Sequence, residues 1–224
     1  IIGSFCGIVI LSPVLLIVAI TIKLTSKGPV IFKQERVGLH NKPFNMYKFR
    51  TMEVQKPKAE KKQWTTKDDP RVTKVGKFIR KTSIDELPQL WNILNGDMSF
   101  VGPRPDVPGY ADKLEGADRD VLKLRPGITG PATLKYRVED EMIAEFVEQI
   151  KAGKNEQVAK FSDLPDFSVM TDQEIAVWYN DNVIYPDKVR LNCYYYRNYS
   201  FVKDIQMIFA TVLGKKFEYA GELI

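Results

Sequence analysis

The sequence predicts an α+β fold, mostly α with a small β-hairpin, held at a membrane by an apolar N-terminal helix. Three observations carry that expectation. Residues 1–22 hold no charged side chain. Two β-prone runs, 30–37 and 44–49, flank Gly38-Leu39-His40-Asn41-Lys42-Pro43, a turn-forming spacer of the kind that closes hairpins. From residue 72 onward, apolar side chains recur at helical intervals. The 224 residues, 44% of them hydrophobic, are enough for one core and too apolar for a disordered chain.

Taken in order, the first 22 residues at 1.5 Å per residue just cover a hydrocarbon core of about 30 Å. Ser12 and Pro13 sit mid-segment. A proline there removes a backbone hydrogen bond and kinks the helix, and a neighbouring serine can satisfy the carbonyl so freed. By sequence alone a crossing helix with the body on the cytoplasmic side is favoured over one that dips in and returns. After the hairpin, residues 53–69 read as a lysine-rich loop. Residues 72–95 read as helical, with Asn95-Gly96 as the stop. Two turn-rich segments follow at 101–108 and 125–131, the first too rich in proline for a helix or a central strand. Helices are expected over 138–151 and 172–179, with a polar linker at 155–166. Near the end Phe201, Ile205, Ile208, Phe209 and Val212 form one helical stripe, read equally as core packing or as an interfacial helix.

Charge is polarised along the chain. Residues 23–81 hold seventeen Lys and Arg against five Asp and Glu, a net +12, and the remainder is −7. A basic block directly after an apolar segment suits an anionic membrane surface. It lacks the basic and aromatic interleaving of nucleic-acid binders, so nucleic acid is not expected as a partner. Two cysteines and one histidine argue against a disulfide framework, a zinc cluster and a histidine-based triad. The chemistry therefore falls to carboxylates, lysines, arginines or hydroxyls.

The richest segment is Thr82-Ser83-Ile84-Asp85-Glu86-Leu87-Pro88-Gln89-Leu90-Trp91. Pro88 belongs in a first helical turn, which predicts a helix from about Asp85 to Leu94. Ser83 and Glu86 have capping-box spacing, and Asp85 is a candidate N-cap, so helix capping alone accounts for both acids on spacing. The alternative is chemical. A carboxylate at a helix N-terminus stays anionic, as a nucleophile or Mg²⁺ ligand must, and Mg²⁺ favours one or two carboxylates plus substrate phosphate oxygens. Arg104, clamped between Pro103 and Pro105, together with Arg50, Arg71, Arg80 and Arg125, offers guanidinium groups for phosphate oxygens.

These pieces together resemble the bacterial sugar transferases, the monotopic phosphoglycosyl transferases that begin lipid-linked glycan assembly. The likeness rests on Ser12-Pro13, Gly28-Pro29-Val30, Phe32-Lys33-Gln34-Glu35-Arg36-Val37-Gly38 and Tyr47-Lys48-Phe49-Arg50-Thr51-Met52. It continues through Asp69-Pro70-Arg71-Val72-Thr73, the Arg80-to-Asn92 segment, Gly96-Asp97-Met98-Ser99-Phe100-Val101-Gly102-Pro103-Arg104-Pro105 and Arg125-Pro126-Gly127-Ile128-Thr129-Gly130.

The resemblance implies transfer of a sugar 1-phosphate from a nucleotide sugar, usually a UDP-sugar, to polyprenyl phosphate, with release of nucleoside monophosphate. It implies Asp85 as the nucleophile and an Mg²⁺ contact, Glu86 as its catalytic companion, and Arg104, Arg80, Arg50 and Arg125 as phosphate-binding candidates. It also implies that Ser12 and Pro13 make the first helix re-entrant, against the crossing helix favoured above. The division is then a re-entrant membrane helix over 1–27 and a catalytic domain over 28–224 on the cytoplasmic face of the bacterial inner membrane. Residues 135–186 are variable and a candidate seat of specificity. Relatives often carry an acid where this chain has Asn192, which implies altered donor selectivity or a different alignment. A homodimer and a monomer both stay open. The rival readings are a non-catalytic membrane-anchored scaffold, a lipid-binding protein and, more remotely, a tethered nucleic-acid binder.

Overall fold

The computed structural model describes residues 1–54, 70–154, 158, 161–162 and 164–224. Most of the expected lysine-rich loop, from residue 55, and much of the expected linker at 155–166 lie outside the described residues. Val158, within that linker, is fully buried in a cluster with Phe146, Ile150 and Ile175.

Helix α1 runs Ile2–Thr25. It is continuous through Pro13, and Ser12 Oγ donates to the Val9 carbonyl at 2.8 Å, the acceptor that a proline four residues on leaves without its N–H. One face of α1 lies on the body along almost its whole length. A Cβ on Gly3 would stand 3.3 Å from the Phe100 ring, and one on Gly7 3.4 Å from Leu90. Ile8 and Leu11 pack on Met46, Ile93 and Met98, and Val18 and Ile22 pack on Phe49 and Ile79. The other face, with Phe5, Ile10, Leu16, Ile17 and Leu24, is exposed.

The expected hairpin is present: β1 (Ile31–Val37) pairs antiparallel with β2 (Pro43–Phe49), Gln34 opposite Met46. The expected single helical stretch over 72–95 is instead three pieces. Helix α2 (Lys74–Lys81) is capped by Thr73, whose hydroxyl accepts the Gly76 N–H at 2.9 Å. Ser83 then takes a left-handed conformation at φ 55°, Ile84–Glu86 form a tight 3₁₀ turn, and α3 spans Gln89–Asn95. Pro88 is the reason: it has no N–H to give and its ring crowds the carbonyl four residues back, so α3 cannot extend backward through Asp85. Gly96, at φ 86°, ends α3 as expected. The fully buried Asn92 joins α3 to β2, accepting the Tyr47 N–H at 3.0 Å and donating to the Asn45 carbonyl at 2.8 Å.

A parallel pair joins β3 (Ser99–Val101), which ends where the first turn-rich segment begins, with β4 (Gly127–Thr129), which lies inside the second. Glycine permits it. A Cβ on Gly127 would lie 2.2 Å from the Gly102 nitrogen, so the backbones meet only where no side chain intervenes. Helices α4 (Pro131–Lys135), α5 (Glu139–Lys151) and α6 (Asp172–Tyr179) follow, the last two where periodicity placed them. Around Phe146, stacked on Tyr179 at 3.9 Å, they build a separate small core. Helix α7 (Tyr185–Arg197) leads to α8 (Phe201–Leu213), and a short terminal hairpin, β5 (Glu218–Tyr219) with β6 (Glu222–Leu223), closes the chain. In α8 the buried residues are Met207 and Ala210; of the predicted stripe only Ile208 is half-buried, and Phe201, Ile205, Phe209 and Val212 face outward. The core-packing reading of that stripe does not hold, because the helix docks through the adjacent face that carries Met207 and Ala210.

Gly76 marks where α2 crosses the end of β2. A Cβ there would fall 2.0 Å from the Thr51 carbonyl oxygen. Gly76→Ala should force these elements apart and lower stability by about 1–3 kcal/mol, read as a drop in the thermal unfolding midpoint of the detergent-purified protein; an unchanged midpoint would contradict this packing.

Candidate active site

The left-handed Ser83 and the 3₁₀ turn present Asp85 and Glu86 in different directions. Ser83 makes no capping hydrogen bond, so the capping-box and N-cap readings fail. The capping box the chain does use is Thr171 with Glu174, at the start of α6.

Glu86 is clasped by two cations. Lys48 Nζ, from β2, donates to its Oε1 at 2.8 Å, and Arg104 Nη2 donates to the same oxygen at 2.6 Å. Burial pushes the Glu86 carboxyl up, but Arg104 and Lys48 outweigh it and hold the group at about 2. The same burial, reinforced by Arg104, lowers the Lys48 ammonium against the pull of Glu86. Asp85 behaves oppositely. It is 9% exposed, and burial pushes its carboxyl above the ordinary aspartate range, with Lys48 and Arg80 pulling down and Glu86 pushing up. Among the described residues no side chain hydrogen-bonds the Asp85 carboxylate. Adjacent acids are thus shifted in opposite directions by their surroundings: cations hold Glu86 low and burial raises Asp85.

Arg104 is half exposed, at 49%, and its Nε and Nη1 make no hydrogen bond among the described residues. Its loop is tied down three ways. The Gly127 N–H donates to the Pro103 carbonyl at 2.8 Å, Arg36 Nη1 to the Pro105 carbonyl at 3.0 Å, and the Val37 N–H to the Asp106 carbonyl at 2.9 Å. Arg104 therefore offers a preorganised fork to an anion beside the acid pair.

Of the other predicted residues, Arg80 donates through Nε to Thr51 Oγ1 at 2.8 Å and acts on Asp85 through its charge. Arg50 is 6% exposed and donates to the Pro29, Met52 and Ser26 carbonyls at 2.6, 3.3 and 3.1 Å. The structure makes it a strap between the end of α1 and β2, and does not bring its guanidinium to the acid pair. Arg125 is exposed at the entry to β4, next in space to the Arg104 loop. Asn192 is buried in α7, and among the described residues its Oδ1 has no hydrogen-bond partner. Lys48 and Arg36 were given no role by sequence reasoning. Strand alternation places Lys48 on the face of Met46 and Arg50, a signal that could have marked it. Among the described residues no three metal-ligating side chains converge, so a divalent cation here would rest on Asp85 and on oxygens that a ligand supplies, a set that suits Mg²⁺.

Because Glu86 is held below its unfolded value, its contribution to stability is present above about pH 4.5 and is lost as pH falls toward about 2. The difference in unfolding midpoint between the wild type and Glu86→Gln should therefore shrink steadily from pH 5 to pH 2; a constant difference would mean that the clasp does not form.

The sequence pattern described as "Bacterial sugar transferase" matches residues 1–177. The chain is 43% identical over 155 residues to a UDP-glucose:undecaprenyl-phosphate glucose-1-phosphate transferase of Klebsiella pneumoniae, covering 67% of this chain and 33% of that protein. It is 36% identical over 182 residues to the Escherichia coli (strain K12) protein of the same name, covering 80% and 36%. Over 112 residues it is 49% identical to a putative undecaprenyl-phosphate N-acetylgalactosaminyl 1-phosphate transferase of Bacillus subtilis (strain 168), covering 50% and 62%. It thus spans about a third of the length of the first two.

Proposed function

Because the chain belongs to the bacterial sugar transferase family, we propose that it transfers a sugar 1-phosphate from a UDP-sugar to polyprenyl phosphate, with release of UMP. The observation that carries this reading is the buried Asp85 carboxylate, to which no side chain among the described residues donates a hydrogen bond, beside a Glu86 that Lys48 and Arg104 already clasp. An Asp85 oxygen attacks the sugar-bearing phosphorus. The phosphoanhydride bond breaks, and UMP leaves with the bonding electron pair. A polyprenyl phosphate oxygen then attacks the same phosphorus, the Asp85–phosphorus bond breaks, and the carboxylate is restored. The raised basicity of Asp85 favours the first attack. The free nitrogens of Arg104 face charge that grows on the phosphoryl oxygens, and the two prolines and Arg36 hold that guanidinium in place beforehand. Lys48 keeps Glu86 anionic and oriented, so that Arg104 is not drawn onto Asp85. Bound at Asp85, Mg²⁺ would supply charge neutralisation to the diphosphate.

The acceptor's lipid tail requires a site at a bilayer surface, and the exposed apolar faces of α1 and α8 fit that placement. A 24-residue helix of about 36 Å that touches the body from Gly3 to Ile22 cannot cross a bilayer without carrying charged residues of the body into hydrocarbon. We therefore place α1 as a shallow, re-entrant element with both ends on the cytoplasmic face.

With detergent-purified protein, Mg²⁺, polyprenyl phosphate and a panel of UDP-sugars, one or more donors should release UMP. Asp85→Asn should lower that rate at least about 10³-fold and abolish covalent labelling from a donor labelled in the sugar; near-normal turnover would remove Asp85 as nucleophile. Tags at residues 1 and 224 should be accessible from the same side of sealed vesicles; access from opposite sides would refute the re-entrant placement.

A further inference from the structure

The described surface carries a second concavity that the chemistry above does not use. It is a cleft of about 290 Å³ lined by Gly109, Tyr110, Lys113, Leu114, Asp181 and Tyr185. One wall is the chain that follows the Arg104 loop; the other is the π-helical turn Asn180–Ile184 between α6 and α7, an irregularity that often marks functional positions. The two tyrosine rings meet edge to face, their centroids 5.0 Å apart at 62°. The Tyr110 hydroxyl donates to Asp181 Oδ1 at 3.1 Å, and Asn180 Nδ2 donates to the same oxygen at 2.9 Å. Asp181 is exposed, and its Oδ2 has no partner among the described residues.

This cleft is joined to the acid pair by a short path. The Tyr185 hydroxyl donates to Asp106 Oδ2 at 3.2 Å. Asp106 lies two residues past Arg104, and Arg104 touches Glu86 at 2.6 Å. A ligand with its phosphates at Arg104 therefore has one end toward Asp85 and the other toward the tyrosines. Resting on the transferase reading above, we infer that the cleft holds the nucleobase of the nucleotide-sugar donor, with Tyr110 and Tyr185 as its stacking surface and Asp181 Oδ2 accepting an N–H from the base edge.

The base is a better occupant than the sugar. The sugar is bonded to the phosphoryl group that Asp85 attacks and must stay beside it, whereas the base lies beyond both phosphates and the ribose. The volume sits at the lower end for small-molecule clefts, which suits one nucleoside rather than a whole donor. Aromatic side chains stack on any base, and a carboxylate, which can only accept, selects an edge bearing an N–H such as the imide of uracil.

Calorimetric titration of UMP into the detergent-purified chain, beside donor kinetics, tests this. Tyr110→Ala should weaken UMP binding roughly ten- to a hundredfold, Asp181→Ala roughly tenfold, and Tyr110→Phe little. KM should rise by the same factor for every accepted UDP-sugar with kcat held, because contacts to the base are equal in the ground and transition states. UMP affinity unchanged in both alanine variants would overturn the assignment. So would altered discrimination among sugars at constant UMP affinity, which would make the cleft a sugar site. The titration reads the cleft whether or not a donor turns over, so failure of the transferase reading would show separately, as UMP binding without turnover.

Discussion

The double clasp on Glu86 is the interaction on which the rest of the site depends. One carboxylate oxygen draws Lys48 from β2 and Arg104 from the loop after β3 onto the turn that carries Asp85. Three segments far apart in sequence are thereby fixed around one anion. The ionised state of Glu86 is secured by both cations, and burial raises the carboxyl of its neighbour, to which no side chain among the described residues donates a hydrogen bond. Two carboxylates, one residue apart, are shifted in opposite directions because cations outweigh burial at Glu86 and burial outweighs them at Asp85.

That clasp needs rigid supports, and the fold supplies them with side-chain-free contacts and buried polar anchors. Gly102 and Gly127 let β3 and β4 approach closely enough to aim the Pro103–Asp106 loop. Asn92 pins α3 to β2 through its side-chain Oδ1 and Nδ2, which ties the helix after the acid turn to the strand that carries Lys48. Arg50, for all its charge, belongs to this framework: by binding three carbonyls it closes the corner between α1 and β2.

The same corner explains the odd position of α1. It is apolar enough for lipid, yet it gives one face to β2, α2 and α3 and forms part of the cores beneath the acid pair. An exposed apolar surface and the site's supporting cores are thus carried by opposite faces of one helix, and α8 repeats the pattern by docking through Met207 and Ala210 and leaving Phe201, Phe209 and Val212 outside. The region from α5 to α6 stands apart, organised on its own aromatic core around Phe146.

Much of this was legible from local pattern. An uncharged run of 22 residues, a turn-forming spacer between two β-prone runs, Gly96 as a helix stop and the periodicity of α5, α6 and α8 are all set by backbone sterics and side-chain polarity over a few residues. The density of motif around Asp85, Glu86 and Arg104 also singled them out, and the structure brings Arg104 onto Glu86 beside Asp85. Spacing could not decide between a capping box and a reactive pair, because Ser83 fits either until its left-handed conformation removes the cap. Nor could it find Lys48 as a partner of Glu86, 38 residues away, or show Arg50 turned onto carbonyls instead of ligand. The β3–β4 pair was hidden because proline and glycine read locally as turns, and their pairing is a contact across more than twenty residues. The sequence by itself determined the uncharged N-terminal helix, the hairpin and which residue types are available for chemistry, because these follow from polarity and backbone sterics over a few residues. Only the tertiary structure decided which carboxylate is held low by cations and which is raised by burial, because a side chain's proton affinity depends on the charges and the burial that distant segments bring to it.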